Sequence, residues 1–488
     1  MMRLRLAVSM ASALALGACS LAPKYVAPTP PVPQTWPAGD AYLLQSEASL
    51  PVVSYTEIFR DPRLQQLIAQ ALDNNRDIRV AAANLAAARA QVRVIRADQF
   101  PAIGVSGSAT YTDRGSTSTN NVGTGAGTGT TTRGSGSGWS YGLQGGVSSF
   151  ELDFFGRYAN ATESQRNTAL ATEATARTVR LGLIADLAQT WATYGSDVDL
   201  LKLAEATAAN AQRSVELTSA RLKGGIAPRT DLRQAEQILE TARGDLAQQK
   251  TALAQDANVM RLLVGAEFDQ SLLPAGIAQV NQTLATLPAG TSSQVLLRRP
   301  DVVEAEYQLR AANADIGVAR AQLFPSISLT GLLGVASNAL GSLFSGGAFN
   351  WSAGADASYS LFNAGGRLAN VEVSRAQRDA ALASYERAIQ VAFREVSDAL
   401  AEQGTIGERL RAASANTAAA ADTAKLTEAR YRGGVDSFLA SLDAQRSLYG
   451  AQQSEIATRL AQANNRITLY RVLGGDAATS TAALPPRR

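Results

Sequence analysis

The chain contains no histidine, so the commonest general base, the commonest metal ligand and every Ser/His or Cys/His nucleophile pair are absent together. The chain has one thiol. Cys19 is the sole cysteine, which excludes a disulfide within the chain, and it stands directly behind Leu16, Gly17 and Ala18. Charged groups are numerous but interspersed: 45 Lys+Arg lie among 42 Asp+Glu, for a formal net charge of +3. There is no basic run and no interleaving of bases with aromatics, so nucleic acid is not an expected partner. No P-loop, catalytic dyad, metal-ligand spacing or cofactor motif stands out, and the chain reads as a protein that is not an enzyme.

The segment that carries the thiol reads MMRLRLAVSMASALALGACS. Arg3 and Arg5 form a positive start, Leu6 to Leu16 an apolar run, and together residues 1–18 read as a secretory signal. Leu16-Gly17-Ala18-Cys19 resembles a bacterial lipobox, in which Cys19 becomes the lipidated first residue of the mature protein. The plainer reading is an ordinary signal peptide with an incidental cysteine. Ser20 follows, not Asp, which by resemblance to lipoprotein sorting directs the protein to the outer membrane. One acyl chain holds weakly; several chains with an embedded barrel hold firmly. Next comes LAPKYVAPTPPVPQTWP, which cannot continue a helix, so residues 19–58 read as a lipidated, Pro-rich tether. No other apolar run approaches the roughly 20 residues of a spanning helix. A membrane-spanning part would have to be made of strands.

Beyond the tether the sequence repeats itself. ARAQVRVIRADQFPAIGVSG (88–107) matches ANADIGVARAQLFPSISLTG (312–331) at a constant offset of 224, including Arg96/Arg320, Phe100/Phe324, Pro101/Pro325 and Gly107/Gly331. Gly156-Arg157 answers Gly366-Arg367, and ARLKGGI (220–226) answers ARYRGGV (429–435). Two tandem repeats, 59–273 and 298–474, are joined by a linker at 274–297 and followed by a flexible tail at 475–488.

Each repeat holds two stretches in which apolar and small polar residues alternate, the mark of a strand with one wet face. They lie at about 100–111, 139–152, 324–336 and 351–362; in the last, Trp351, Ala353, Ala355, Ala357 and Tyr359 alternate with Ser352, Gly354, Asp356 and Ser358. Their length and terminal aromatics suit a transmembrane barrel; a soluble sandwich would need further strands, and none follows. A Gly/Ser/Thr/Asn-rich loop, Gly115 to Gly138, separates the first pair. Lipid tolerates no open sheet edge and a barrel needs at least about 8 strands, so four strands per chain imply that several chains share one barrel.

Two Ala-rich, proline-free runs, Arg157 to Arg221 and Arg367 to Tyr431, each predict a helix on the order of 100 Å long. After each comes a glycine pair, Gly224-Gly225 or Gly433-Gly434, and then a second helix with heptad spacing: Leu232, Leu239, Leu246, Leu253 and Met260 in the first repeat, Leu442, Tyr449, Ile456, Ala463 and Tyr470 in the second. Thr230 and Asp231 mark a helix start. The fold class is therefore mainly α with a transmembrane β part: long helical hairpins at about 157–265 and 367–474, with shorter helices at Pro62 to Asn74, Ile78 to Gln99 and Pro300 to Leu323. A solid coiled-coil stalk fits the heptads equally; the strand pairs favour a tube.

The lipobox, the tether, FRDPRLQQLIAQALDNNRDI (59–78), the doubled strand-and-hairpin plan and LLRRPDV (296–302) together resemble the TolC-like outer-membrane factor family, specifically the lipoprotein exit ducts of RND-type multidrug pumps. The resemblance implies a homotrimer in outer-membrane lipid, a helical tunnel in the periplasm, and two protein partners, a periplasmic adaptor (membrane fusion) protein and an inner-membrane RND pump. It implies a gate at the periplasmic tip, where Leu439, Asp443 and Arg446 fall on one helical face and match the family's constriction. It implies a latch at Tyr431, Thr230 and Asp231, and adaptor contacts at Gly224, Gly225, Gly433 and Gly434. Ala440 and Asp436 stand where some members carry a second acidic ring and a basic latch residue, so neither of those is expected here. Without the resemblance, Asp443 and Arg446 would read as a surface pair and Asp231 as a helix cap. The alternatives for the whole chain are a duct of ATP-driven protein secretion, a periplasmic adaptor, or a structural lipoprotein stalk.

Overall fold

The computed structural model describes residues 20–33, 35–37, 54–113, 137–285 and 293–475. Cys19, the signal segment 1–18, the Gly/Ser/Thr loop up to 136 and the tail beyond 475 lie outside the described residues. In chain order the elements are α1 (Tyr55–Ile58), α2 (Pro62–Asn74), α3 (Arg76–Ala97), β1 (Gly104–Thr112), β2 (Gly138–Glu151), α4 (Arg157–Lys223), α5 (Arg229–Val264), α6 (Ile277–Thr283), α7 (Pro300–Ala321), β3 (Ser326–Ser337), β4 (Phe349–Ser358), α8 (Gly366–Arg432) and α9 (Phe438–Val472). The duplication is visible in their lengths. α4 and α8 each have 67 residues, α3 and α7 each have 22, and α5 and α9 have 36 and 35. At about 1.5 Å per residue the long helices run on the order of 100 Å.

Two compact units divide the chain, each drawn from both repeats. The first gathers residues up to 26 with 88–168 and 309–380, and holds the sheet. Its strands form an antiparallel meander in the order β1-β2-β3-β4, so among the described residues β1 and β4 are both unpaired edges. The register puts like with like. Val105, Gly145, Leu333 and Trp351 form one cross-strand row, and Ser106, Gln144, Gly334 and Asn350 form the next row on the opposite face. The apolar face is uncovered: Leu333 is 60% and Trp351 71% exposed. Aromatics cluster at its loop end, where Trp139 stacks with Tyr141 at 5.8 Å and meets Tyr111 edge-on at 5.5 Å. At the other end Phe155 stacks on Phe324 at 4.5 Å. A bare apolar face between two aromatic belts is what lipid requires of a barrel wall.

The segment after Cys19 is pinned to this unit. Ser20 Oγ donates to Asn160 Oδ1 at 2.8 Å, Arg320 donates to the Leu21 carbonyl at 3.0 Å, and Asn313 to the Pro23 carbonyl at 2.7 Å. The Arg310 guanidinium sits 4.8 Å over the Tyr25 ring.

The second unit holds the greater part of both hairpins and the small helices α1, α2 and α6. The heptad positions are its seam: Leu239, Met260, Leu442, Ala463 and Tyr470 are buried. FRDPR supplies a cap, with Asp61 accepting from the Arg63 backbone N–H at 2.9 Å while Pro62 takes the first helical position. In LLRRPDV the buried Arg299 donates to Asp301 (2.7 Å), Glu395 (2.8 Å) and the Val472 carbonyl (2.9 Å), and so ties the start of α7 to both helices of the second hairpin. That motif is structural.

Some details differ from the sequence expectations. β4 ends at Ser358 and leaves 359–362 outside the sheet. The prolines of the two Phe-Pro pairs precede their strands without joining them, because Phe100 and Phe324 still close helical turns onto Ala97 and Ala321. α5 begins at Arg229 behind Pro228, so Thr230 and Asp231 lie inside its first turn. The linker region carries α6, whose first N–H is accepted by Asp199 of α4 at 2.9 Å.

Candidate functional site

The ends of the two hairpins bring the expected residues together. At the first tip the Ile226 N–H reaches back to the Arg221 carbonyl (3.0 Å), and at the second Val435 reaches Arg430 (2.9 Å). Each closure needs a left-handed residue before it, supplied by Gly225 (φ 76°) and Gly434 (φ 75°). Gly224 and Gly433 continue their helices, donating to Ala220 and Ala429 at 3.0 Å. The tips then diverge. Ser437 caps α9, its Oγ accepting from the Ala440 N–H at 3.3 Å, whereas Pro228 offers α5 no side-chain cap.

Across the second tip Arg430 grips Asp436 with two bonds, Nε to Oδ2 at 2.6 Å and Nη2 to Oδ1 at 2.9 Å, which hold the Asp436 carboxyl below the usual carboxylate range. Ile226 and Val435 project from the two turns, 72% and 66% exposed.

The residues expected at a constriction, Leu439, Asp443 and Arg446, occupy one face of α9. Leu439 is 53% exposed, and Asp443 and Arg446 are exposed one and two turns further on, while Phe438 and Leu442 on the adjoining flank of the helix are buried. No ion pair among the described residues joins Asp443 to Arg446. The surface-pair reading thus lacks its contact.

Tyr431 sits at the junction of the two hairpins. It is buried with Ala235, Phe438 and Leu442, its ring 5.3 Å from Phe438 and 4.8 Å beneath the Arg221 guanidinium. Its hydroxyl is buried and has no hydrogen-bond partner among the described residues. Neither Asp231, half-buried in the first turn of α5, nor the exposed Thr230 reaches it. Leaving a buried hydroxyl unpaired costs about 1–3 kcal/mol, so the isolated chain holds this group at a disadvantage that an outside acceptor would relieve.

Three features were not expected from the sequence. Arg221 and Arg430 engage the tip through contacts across a turn or between hairpins, which single-helix spacing does not display. Tyr449, an expected seam residue, also donates to Asp245 Oδ2 at 3.3 Å, joining α9 to α5. Further along the first hairpin Asp197 of α4 meets Asp256 of α5. Burial, and then the neighbouring Asp197 carboxylate, push Asp256 up to about 6, and burial also raises Asp197 and the adjacent Tyr194. Asp256 Oδ2 is buried with no donor facing it, so a proton shared between the two carboxyls answers the strain. Among the described residues no acidic or thiol group is arranged to hold a metal ion, and no helix is long and apolar enough to cross a membrane.

Comparison with known proteins matches this architecture. The sequence pattern of the family described as "Outer membrane efflux protein" covers residues 67–266 and 291–475. The chain is 42% identical over 466 residues to the antibiotic efflux pump outer membrane protein ArpC of Pseudomonas putida, spanning 95% of this chain and 94% of that one. It is 37% identical over 467 residues to the cation efflux system protein CusC of Escherichia coli K12, spanning 95% and 97%. The crystal structure of the open state of the MtrE outer membrane channel of Neisseria gonorrhoeae superposes with a TM-score of 0.78 at 30% identity, over 94% of this chain and 99% of that one.

Proposed function

The chain belongs to the outer membrane efflux protein family and is an outer-membrane component of an efflux system; from that premise we propose a passive duct, built by three copies and shut at its helical tips. The observation that carries this is the sheet. Its four strands present one bare apolar face and one polar face, and both β1 and β4 lack a neighbour. In lipid those edges must pair, and the partner that fits is the opposite edge of another copy.

At the tip, Leu439, Asp443 and Arg446 face the lumen of the assembly, with Asp443 contributed once per copy as an acidic ring that draws cations and obstructs anions. Tyr431 acts as the latch, its unpaired hydroxyl finding an acceptor on a neighbouring copy when the tip is shut. The exposed turns at Gly224-Gly225 and Gly433-Gly434, with Ile226 and Val435, offer the docking surface for a periplasmic adaptor, and an inner-membrane pump of the RND type supplies the energy. Opening is a change between two hairpin arrangements that the adaptor biases. Lipidation at Cys19 anchors the segment that Asn160, Asn313 and Arg320 hold beside the sheet.

Cysteines placed at Ala109 on β1 and Ala357 on β4, both on the apolar face, test the shared barrel. Oxidation of the double variant is expected to give a ladder of covalent dimers and trimers on denaturing gels, with neither single variant forming trimers. A double variant that stays monomeric, from protein that also migrates as a monomer without heating, would overturn the reading.

A further inference from the structure

The strands carry two charged residues, Glu151 at the end of β2 and Asp356 in β4. Both are acidic, and the register puts them in one row: Glu151 pairs with Ser328, and Ser328 pairs with Asp356. That both lie on the polar face is not automatic. Along β2 the odd positions Trp139, Tyr141, Leu143 and Val147 belong to the apolar face, and unbroken alternation would send Glu151 there too.

A bulge between Val147 and Phe150 reverses the parity, so that Phe150 pairs with Leu329 on the apolar face and Glu151 turns to the polar one. The sequence builds the bulge locally. Gly146 adopts φ 141°, and a Cβ there would stand 2.2 Å from the Gly331 carbonyl oxygen; the Ser148 carbonyl accepts from Thr330 Oγ1 at 3.1 Å.

The two carboxylates then part company. Glu151 is paired, with Arg157 Nη2 at 2.8 Å and the Tyr158 hydroxyl at 3.3 Å. Asp356 is exposed on the edge strand and makes no ion pair among the described residues. The neighbouring cation Arg367 lies 5.1 Å over the Tyr359 ring, and Asp153 is occupied with the Ala159 N–H at 2.8 Å. The rest of the row and its neighbours on the polar face, Ser326, Ser328, Thr330, Ser352 and Ser358, are hydroxyls.

We propose that Asp356 is a second determinant of charge selectivity, one carboxylate per copy without an ion-pair partner in a barrel lumen lined otherwise by neutral, mostly small side chains and the paired Glu151, acting independently of the tip. The proposal rests on the duct reading, since the carboxylates form a ring only where copies close a barrel. Its consequence is that opening the tip does not abolish charge discrimination: a cationic cargo still meets a favourable potential where the helices give way to strands, and an anionic one a barrier. Because the lumen of a shared barrel is wide and wet, the field reaches the axis only when screening is weak. The Debye length is about 30 Å at 0.01 M salt and about 3 Å at 1 M, so the discrimination is strong in dilute salt and fades in concentrated salt.

The experiment measures reversal potentials under a KCl gradient in planar bilayers, using full-length protein with Asp443→Ala so that the acidic tip ring is removed and Arg446 stays the same in every protein compared. Against that background Asp356→Asn is expected to lower the K+/Cl− permeability ratio about twofold or more in dilute salt and to have little effect at 1 M. Asp356→Lys is expected to reverse the preference. Each variant is first checked as a heat-modifiable oligomer, so that a folding defect is not read as lost selectivity. Conducting, assembled Asp356→Asn and Asp356→Lys proteins with the ratio of their Asp443→Ala parent in dilute salt would overturn the proposal and leave the duct reading standing. If no protein conducts, Asp443→Ala included, the duct reading fails and the proposal falls with it.

Discussion

At the scale of single residues, the telling group is the Tyr431 hydroxyl. It is buried and unpartnered while its ring is well held by Phe438, Leu442 and the Arg221 guanidinium. If no acceptor ever meets it, Tyr431→Phe removes a liability and is neutral or stabilising. The latch reading makes a different prediction: Tyr431→Phe keeps the packing and the thermal midpoint of the chain, yet raises the open probability of the channel severalfold, as seen in single-channel records. The proposed gate and latch rest on the family resemblance. Spacing put Leu439, Asp443 and Arg446 on one helical face, but nothing within α9 distinguishes a lumen from any other wet surface. At the other end of the chain, Cys19→Ala is expected to abolish incorporation of labelled fatty acid, and unchanged labelling would refute the lipobox.

At the scale of elements, the long helices, the glycine turns and the strands were readable because each depends on local rules: alanine without proline, glycine where φ turns positive, alternation where one face is wet. The bulge in β2 was not read. The repeat slips by two residues there, for Trp139 and Trp351 lie 212 residues apart whereas Gly156 and Gly366 lie 210 apart, and the bulge takes up one of the two. α6 was missed as well, since its cap is Asp199 from a helix distant in sequence.

The Asp197–Asp256 pair belongs to this scale, because it exists only where α4 and α5 meet. Asp256 titrates at about 6, above the ordinary 3.8, so its contribution to stability is full below the ordinary value and is lost as pH rises through about 6. Hairpin stability should therefore fall across that window. The apparent melting temperature of reconstituted protein is expected to be a few degrees higher at pH 5 than at pH 8, and Asp256→Asn should remove the difference.

At the scale of the whole molecule, one chain is an incomplete object. Among the described residues its sheet has two open edges and a bare apolar face, and Leu439, Asp443 and Arg446 stand exposed. Sequence reasoning reached this point by counting strands, and the antiparallel order of the sheet agrees. The relatives are outer-membrane parts of efflux systems, and the share proposed for this chain is a path and a gate, with the work coming from the rest of the pump.

The most direct test is electrical. Full-length protein purified as a heat-modifiable oligomer is placed in a planar bilayer. The wild type is expected to show rare, small openings, and Asp443→Ala with Tyr431→Phe to give long-lived, larger steps of uniform size. Bilayers that stay silent with the assembled double variant would contradict the account.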